Sequence, residues 1–453
     1  MRRFISLLMI AVSLCSVAYA QKTPFTVKAY AVRGAYLDNS HHFTKFGGIY
    51  PAGINLGFEL PSTQQKPWQS YLNNPTVGIG VSGYDFGHDI LGQSLAVYPY
   101  VLLNAIDVEY FQMRFKVAGG LGYVTETWYT QDGETSNEYY SSESNTVFGA
   151  PLNVYLNAGI NLNVPVTDYL AFGVEFGYFH MSNGRTAMPN IGMNTIYGSV
   201  GVSTTFNSDV KKEPVDFPDL PYGWALNITG AAGSHQAWMD ESKFFISSFH
   251  AGAVYHVNNW YAIGLGLDLF YNDAITKNTG RSLYCDGDFD IDLNENDEID
   301  SNEKNLLCTT CGSERGVDYT FAQKTRAGLA LNNEFKFGRV TAILDWGVYF
   351  YNPARNLYYD YHEDNYGKVA PKRPLAYKTP HGAGGEEAPH YFRLGARCRV
   401  WDNLYFQTTM KCHLQIAEFI EFGLGYQIPF YKKGCRPEGK SKIFHYRKEW
   451  WKE

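Results

Sequence analysis

A chain of 453 residues that is 45% apolar and 16% aromatic, with 35 Tyr, 29 Phe and 44 Gly, can build a large core or two domains and is too apolar to be disordered. Only 18% of its residues are charged and the net charge is −7, with no basic face, which argues against a nucleic-acid partner. So much Tyr and Phe with so little charge points to a β-rich protein with an aromatic surface rather than to a cytosolic enzyme.

The chain opens on a secretory pattern. Arg2 and Arg3 form a basic start, Phe4 to Val17 an apolar stretch, and Ala18-Tyr19-Ala20 a cleavage site of small residues. Residues 1–20 therefore read as a signal peptide and the mature chain as starting at Gln21. Cys15 lies inside the apolar stretch after Leu14, where a lipoprotein signal would need a small residue. No later run approaches the ~18 consecutive apolar residues of a membrane-spanning helix. The closed β-barrel is the other way to cross a bilayer with every backbone group paired.

Alternation with a period of two recurs along the rest of the chain. Leu170, Phe172, Val174, Phe176 and Tyr178 are bulky, and Ala171, Gly173, Glu175 and Gly177 between them are small or polar. The same split separates Ile196, Val200, Val202 and Phe206 from Thr195, Ser199, Gly201 and Ser203. It returns at Ile263 to Leu269 and at Ile420 to Phe430. A soluble sandwich would also alternate, but with a signal peptide and an aromatic excess the bulky face is expected to meet lipid and the small face a lumen.

The expected fold is all-β, a transmembrane antiparallel β-barrel of about sixteen strands in two eight-strand repeats. Residues 21–206 form the first repeat and 223–430 the second, joined by a polar linker at 207–222 that carries Lys211, Lys212, Pro214, Pro218 and Pro221. Ile79-Gly80-Val81, Phe86 and Asp89 line up with Ile263-Gly264-Leu265, Phe270 and Asp273, a hint of duplication. One sixteen-stranded barrel is the expected closure, because chains with two barrels are rare. Two eight-stranded barrels are the alternative, favoured by inner faces rich in Gly and Ala. Counting strands from a periplasmic start places the loops near 38–49, 88–93, 129–147, 184–192, 273–318 and 353–388 outside the cell.

One hairpin holds chemistry. His180-Met181-Ser182-Asn183-Gly184 ends the seventh strand, and Pro189-Asn190-Ile191-Gly192-Met193-Asn194 opens the eighth. A His-x-Ser pair alone is most often structural. Here the two side chains share one face, parity makes it the lipid face, and the count puts it at the extracellular rim. Polar groups are costly there without a function. With the turn near residue 188, Asn194 would lie on the same face, about opposite Ser182.

The two halves of this hairpin together resemble the signature of the outer-membrane lipid A 3-O-deacylase (PagL-type) family, whose members include acyloxyacyl hydrolase-like proteins. The resemblance covers the first eight strands. It implies an esterase that removes an ester-linked acyl chain from lipid A, without a cofactor, on the outer wall of a barrel in the outer membrane. By that resemblance Ser182 is the nucleophile, His180 its base, and Asn183 and Asn190 the groups around the oxyanion. The family's usual third member is Glu, and this chain has Asn194. A non-catalytic barrel, a channel or surface-binding protein with a vestigial motif, is the rival reading.

In the second repeat, the extracellular loop 273–318 contains Asp292, Asn294, Asn296, Glu298, Asp300 and Glu303 at the spacing of an EF-hand-type calcium loop, with Glu298 contributing its carbonyl. Asp297 stands where that motif has Gly, and a solvated acidic loop is the alternative. Cys285 brackets the stretch with Cys308 and Cys311, and either could bond to it after secretion. Lys411, His413 and Glu421 fall on the inward face and read as a lumenal network without a serine. With a turn near Asp402 and Asn403, Cys398 would face about residue 407 and stay unpaired with Cys412. Residues 431–453 form a basic tail expected in the periplasm.

Overall fold

The computed structural model describes residues 23–37, 48–64, 66–130, 145–207, 220, 222–236, 243–274, 320–353, 389–401, 403–413 and 416–432. The expected signal peptide at residues 1–20, the acidic loop with Asp292, Asn294, Asn296, Glu298, Asp300 and Glu303, its three cysteines, and nearly all of the expected linker and tail lie outside them. No helix among the described residues is long and apolar enough to cross a membrane. The spanning elements are strands.

The first eight strands are β1 (Phe25–Tyr36), β2 (Ala52–Leu60), β3 (Thr76–Asp85), β4 (Gln93–Val108), β5 (Phe111–Val124), β6 (Leu152–Pro165), β7 (Leu170–Ser182) and β8 (Met193–Phe206). A short helix, α1 (Pro67–Tyr71), separates β2 from β3. The second eight are β9 (Tyr222–Gln236), β10 (Lys243–His256), β11 (Tyr261–Asn272), β12 (Thr325–Phe337), β13 (Val340–Tyr351), β14 (His390–Arg399), β15 (Leu404–His413) and β16 (Ile416–Tyr431).

Closure decides between the two architectures. β1 pairs with β8 along its whole length, from Phe25 opposite Phe206 to Tyr36 opposite Thr195. β9 pairs with β16, and all sixteen strands run antiparallel within two closed barrels of eight, not one of sixteen. Each barrel lies in its own compact unit. The small inner faces explain the outcome, because an eight-stranded barrel leaves just enough interior for side chains to fill. At Gly80, for example, an added Cβ would come within 2.3 Å of the Tyr98 ring.

The lumen of the first barrel is a packed polar plug. Lys28 pairs with Glu59 at 2.9 Å and Lys116 with Glu175 at 2.7 Å, and both pairs are buried. The Tyr100 hydroxyl donates to Glu59 and the Tyr197 hydroxyl to Glu175. A buried charge is tolerable only when paired and hydrogen-bonded in this way. Toward the end that carries the β7–β8 connection the filling turns apolar, with Phe86, Leu91, Val124, Val147, Phe148, Phe179, Met181 and Met193 in one buried cluster.

The second barrel is built alike. Arg393 bridges Asp268 and Glu421 at 2.8 Å each, Arg397 meets Glu334 at 2.9 Å, and Glu418 takes both Arg326 and Lys411. Lys411, His413 and Glu421 are all fully buried inside it. Cys398 stands opposite Phe406, one residue from the expected partner, and both Cys398 and Cys412 are free thiols.

Candidate active site

The β7–β8 hairpin obeys the alternation read from sequence. Glu175 is 1% exposed and Phe176 57%, and the inward run continues through Phe179 and Met181, both fully buried. His180 and Ser182 therefore share the outer face with Phe172, Val174, Phe176 and Tyr178, since successive side chains point to opposite sides. One expectation about register is corrected. Asn194 stands opposite His180, not Ser182. The turn is centred one residue earlier than residue 188, near Ala187, which advances β8 by two residues against β7.

That register lines up three groups. Ser182 Oγ lies 2.8 Å from His180 Nε2, and His180 Nδ1 lies 2.7 Å from Asn194 Oδ1. The Tyr178 hydroxyl also donates to Asn194 Oδ1, at 2.5 Å. A carboxamide oxygen can only accept, so with Asn194 Oδ1 facing the ring Nδ1 carries the proton and Nε2 is left as the acceptor for the Ser182 hydroxyl. This is the tautomer a general base requires. Ser182 is 3% exposed and Asn194 7%.

The hairpin beyond Ser182 is also tied. The backbone N–H of Asn183 donates to Asn190 Oδ1 at 2.9 Å. This brings together the two residues singled out around the oxyanion and turns the Asn190 amide NH₂ away from that bond. Gly184 and Arg185 both take left-handed backbone, φ +61° and +62°, and start the turn. From the β5–β6 connection, Thr146 and Val147 lend their carbonyls to the N–H groups of Ile191 and Gly192. Asn145 holds that segment by accepting from the N–H groups of Val147 and Phe148 and donating to the carbonyls of Ile90 and Glu126. Two loops, β3–β4 and β5–β6, thus converge behind the hairpin.

Two residues acquire a role that sequence reading did not give them. Tyr178 counted only as a lipid-facing aromatic, although its position two residues before His180 already placed its hydroxyl on the same face. Gly192 appeared in the motif without a reason. Its φ is +79°, and an added Cβ would lie 2.9 Å from His180 Cε1, 3.0 Å from the Met181 carbonyl and 3.1 Å from Ser182 Cβ. Only glycine fits there, by conformation and by space. Gly192→Ala is expected to displace the imidazole or the loop and to cut kcat by roughly 100-fold, the scale of a misplacement of about 1 Å. The barrel should still fold, which its electrophoretic mobility without heating would show. Wild-type turnover in this variant would mean the hairpin has slack that the contacts do not suggest.

The family description "Lipid A 3-O-deacylase (PagL)" matches residues 52–203, and "Acyloxyacyl hydrolase, C-terminal domain" matches residues 224–366 and 375–432. No curated protein matches the chain. Among solved structures, neisserial surface protein A is 10% identical, with 40% of this chain and 96% of that one covered and a TM-score of 0.26. The outer membrane enzyme PagL is 15% identical, with 40% and 98% covered and a TM-score of 0.24. The attachment invasion locus protein Ail of Yersinia pestis is 12% identical, with 41% and 99% covered and a TM-score of 0.23. One family description falls on each barrel, and the first spans the hairpin with His180, Ser182 and Asn194: this outer-membrane β-barrel protein belongs to the lipid A 3-O-deacylase and acyloxyacyl hydrolase family.

Proposed function

We propose that the first barrel is a serine esterase that hydrolyses an ester-linked acyl chain of lipid A in the outer leaflet. The observation that carries this reading is the hydrogen-bonded series Ser182, His180, Asn194 on the lipid-facing wall. A serine hydroxyl is a poor nucleophile until a base within hydrogen-bond reach accepts its proton. His180 Nε2 takes that proton as Oγ bonds to the acyl carbonyl carbon. The imidazolium then gives it to the departing sugar oxygen as the ester bond breaks. Water, deprotonated by the same nitrogen, releases the fatty acid and restores Ser182.

Asn194 holds the tautomer but brings no negative charge, so it stabilises the imidazolium less than a carboxylate would. A carboxamide also has two unlike ends. Turned over, it would present NH₂ to Nδ1, force the proton onto Nε2 and disarm the base. Tyr178 opposes that flip through its proton: its hydroxyl donates to Asn194 Oδ1, and after a flip the phenol oxygen could accept from the NH₂ but its own proton would lose its acceptor on an apolar wall, at about 1–3 kcal/mol. The amide NH₂ of Asn190 is the proposed donor to the oxyanion, with its carboxamide oriented by the Asn183 N–H.

The rival channel reading is disfavoured by the ion-paired plug that fills the first lumen. The test is direct. Purified protein mixed with lipid A should release free fatty acid and leave lipid A lighter by one acyl chain in the mass spectrum. An unchanged lipid A mass together with single-channel conductance would overturn the esterase.

A further inference from the structure

We propose that Arg33 forms a subsite for a phosphate of the lipid headgroup, on the outer wall of the first barrel beside the catalytic hairpin. The inference rests on the lipid A reading above and adds to it what grips the polar end of the substrate.

Four basic residues lie in β1 to β8: Lys28, Arg33, Arg114 and Lys116. Lys28, Arg114 and Lys116 face the lumen and meet Glu59 or Glu175. Arg33 is the one that faces out. Along β1 the exposed positions are Val27, Ala29, Ala31 and Arg33, and Lys28, Tyr30 and Val32 between them are buried. Its guanidinium has no carboxylate partner among the described residues and lies 5.9 Å from the centre of the Tyr50 ring, itself 54% exposed. A charge on a lipid-facing wall is expensive and marks a functional position by default.

Height and neighbourhood say which function. At one end of β1, Phe25 stacks on Phe58 and Phe206, an aromatic group at the periplasmic rim. At about 3.3 Å per residue, shortened by strand tilt, Arg33 stands roughly 20 Å above that group. The apolar band of such barrels is about 25 Å tall, so Arg33 nears its outer edge, where headgroups begin. The Tyr50 contact directs the guanidinium further up. Gly34 and Tyr36 donate their N–H groups to Pro51 and Ile49, which sets Tyr50 across from Ala35. Ala35 is opposite Ile196, and Ile196 is opposite Tyr178. In height the guanidinium is thus carried to the Tyr178 row, next to the row of His180 and Asn194, while sideways it lies toward β2, on the other side of β1 from β8.

β1 and β7 are two strand spacings apart, and the guanidinium leans toward Tyr50 on the β2 side of β1, so about 10–15 Å of wall separates it from β7. That is the scale of a phosphorylated disaccharide, set between an ester at Ser182 and the cation at Arg33. Gly198, outward on β8 between Arg33 and Phe176, keeps the intervening wall low. Lipid A supplies the matching chemistry, a phosphorylated sugar with acyl esters, and a guanidinium fork suits phosphate oxygens.

Binding is measured with the full chain carrying Ser182→Ala, so that no turnover is needed, against detergent micelles containing lipid A or the same lipid A treated with phosphatase. Adding Arg33→Gln should weaken binding of phosphorylated lipid A about tenfold and remove its advantage over the treated lipid, with Arg33→Lys between the two. Inorganic phosphate at the lipid's concentration should not compete. An undiminished preference for phosphorylated lipid A in Arg33→Gln, an equal loss on both lipids, or full competition by inorganic phosphate would each overturn the subsite. Fatty-acid release by the unsubstituted protein is read separately, so failure of the esterase and failure of the subsite cannot be confused.

Discussion

Ser182→Ala should leave lipid A with the acyl chain that the unsubstituted protein removes, a mass difference of one fatty acid. The reason is local. Ser182 ends β7, and its hydroxyl touches His180 Nε2. Removing it deletes the nucleophile and costs folding about 1 kcal/mol for one hydrogen bond. The barrel should therefore insert at wild-type levels, with turnover lowered by roughly 1,000-fold or more. His180→Ala should match it, and the double variant should be no worse than either, because members of one catalytic unit do not lose rate additively. Equal trimming of lipid A by Ser182→Ala and by the unsubstituted protein would remove Ser182 from the chemistry and leave the motif a structural remnant.

How much of this was legible in the residues depends on the physics that governs each part. Side-chain parity on a half-buried strand is absolute, so the inward place of Glu175 and the outward place of His180 follow from counting alone. Barrel number was not legible, because closure depends on whether β8 pairs back to β1 or onward to β9, and alternation is identical in both. The register of Asn194 was missed by two residues because turn length sets it. Nothing in Gly184-Arg185 announces two successive left-handed residues, one of them an arginine. Gly192 could have been flagged as a glycine in a motif. Its contact with His180 Cε1, however, depends on the Thr146–Val147 segment, which reaches the hairpin from far away in the chain. Tyr178 was within reach of sequence reasoning, since a tyrosine hydroxyl on an apolar wall needs a partner and the polar groups two and four residues on were already known.

The Tyr178 argument gives the sharpest remaining expectation, a dependence that disappears when the residue at position 194 is changed. In the native background, Tyr178→Phe should lower kcat about tenfold, because Asn194 can then turn over and hand His180 a donor instead of an acceptor. The loss corresponds to about 1.4 kcal/mol, within the range for a stranded hydrogen-bonding group. Asn194→Glu alone should raise kcat, since a carboxylate accepts from Nδ1 through either oxygen and stabilises the imidazolium as well. With Glu there, no amide remains to be oriented, so adding Tyr178→Phe should cost little. The double-mutant cycle should then show a coupling of about 1 kcal/mol between the two positions. A tyrosine that merely packs would give the same loss in both backgrounds, and that result would reduce Tyr178 to a wall residue and leave the amide orientation of Asn194 without a physical cause.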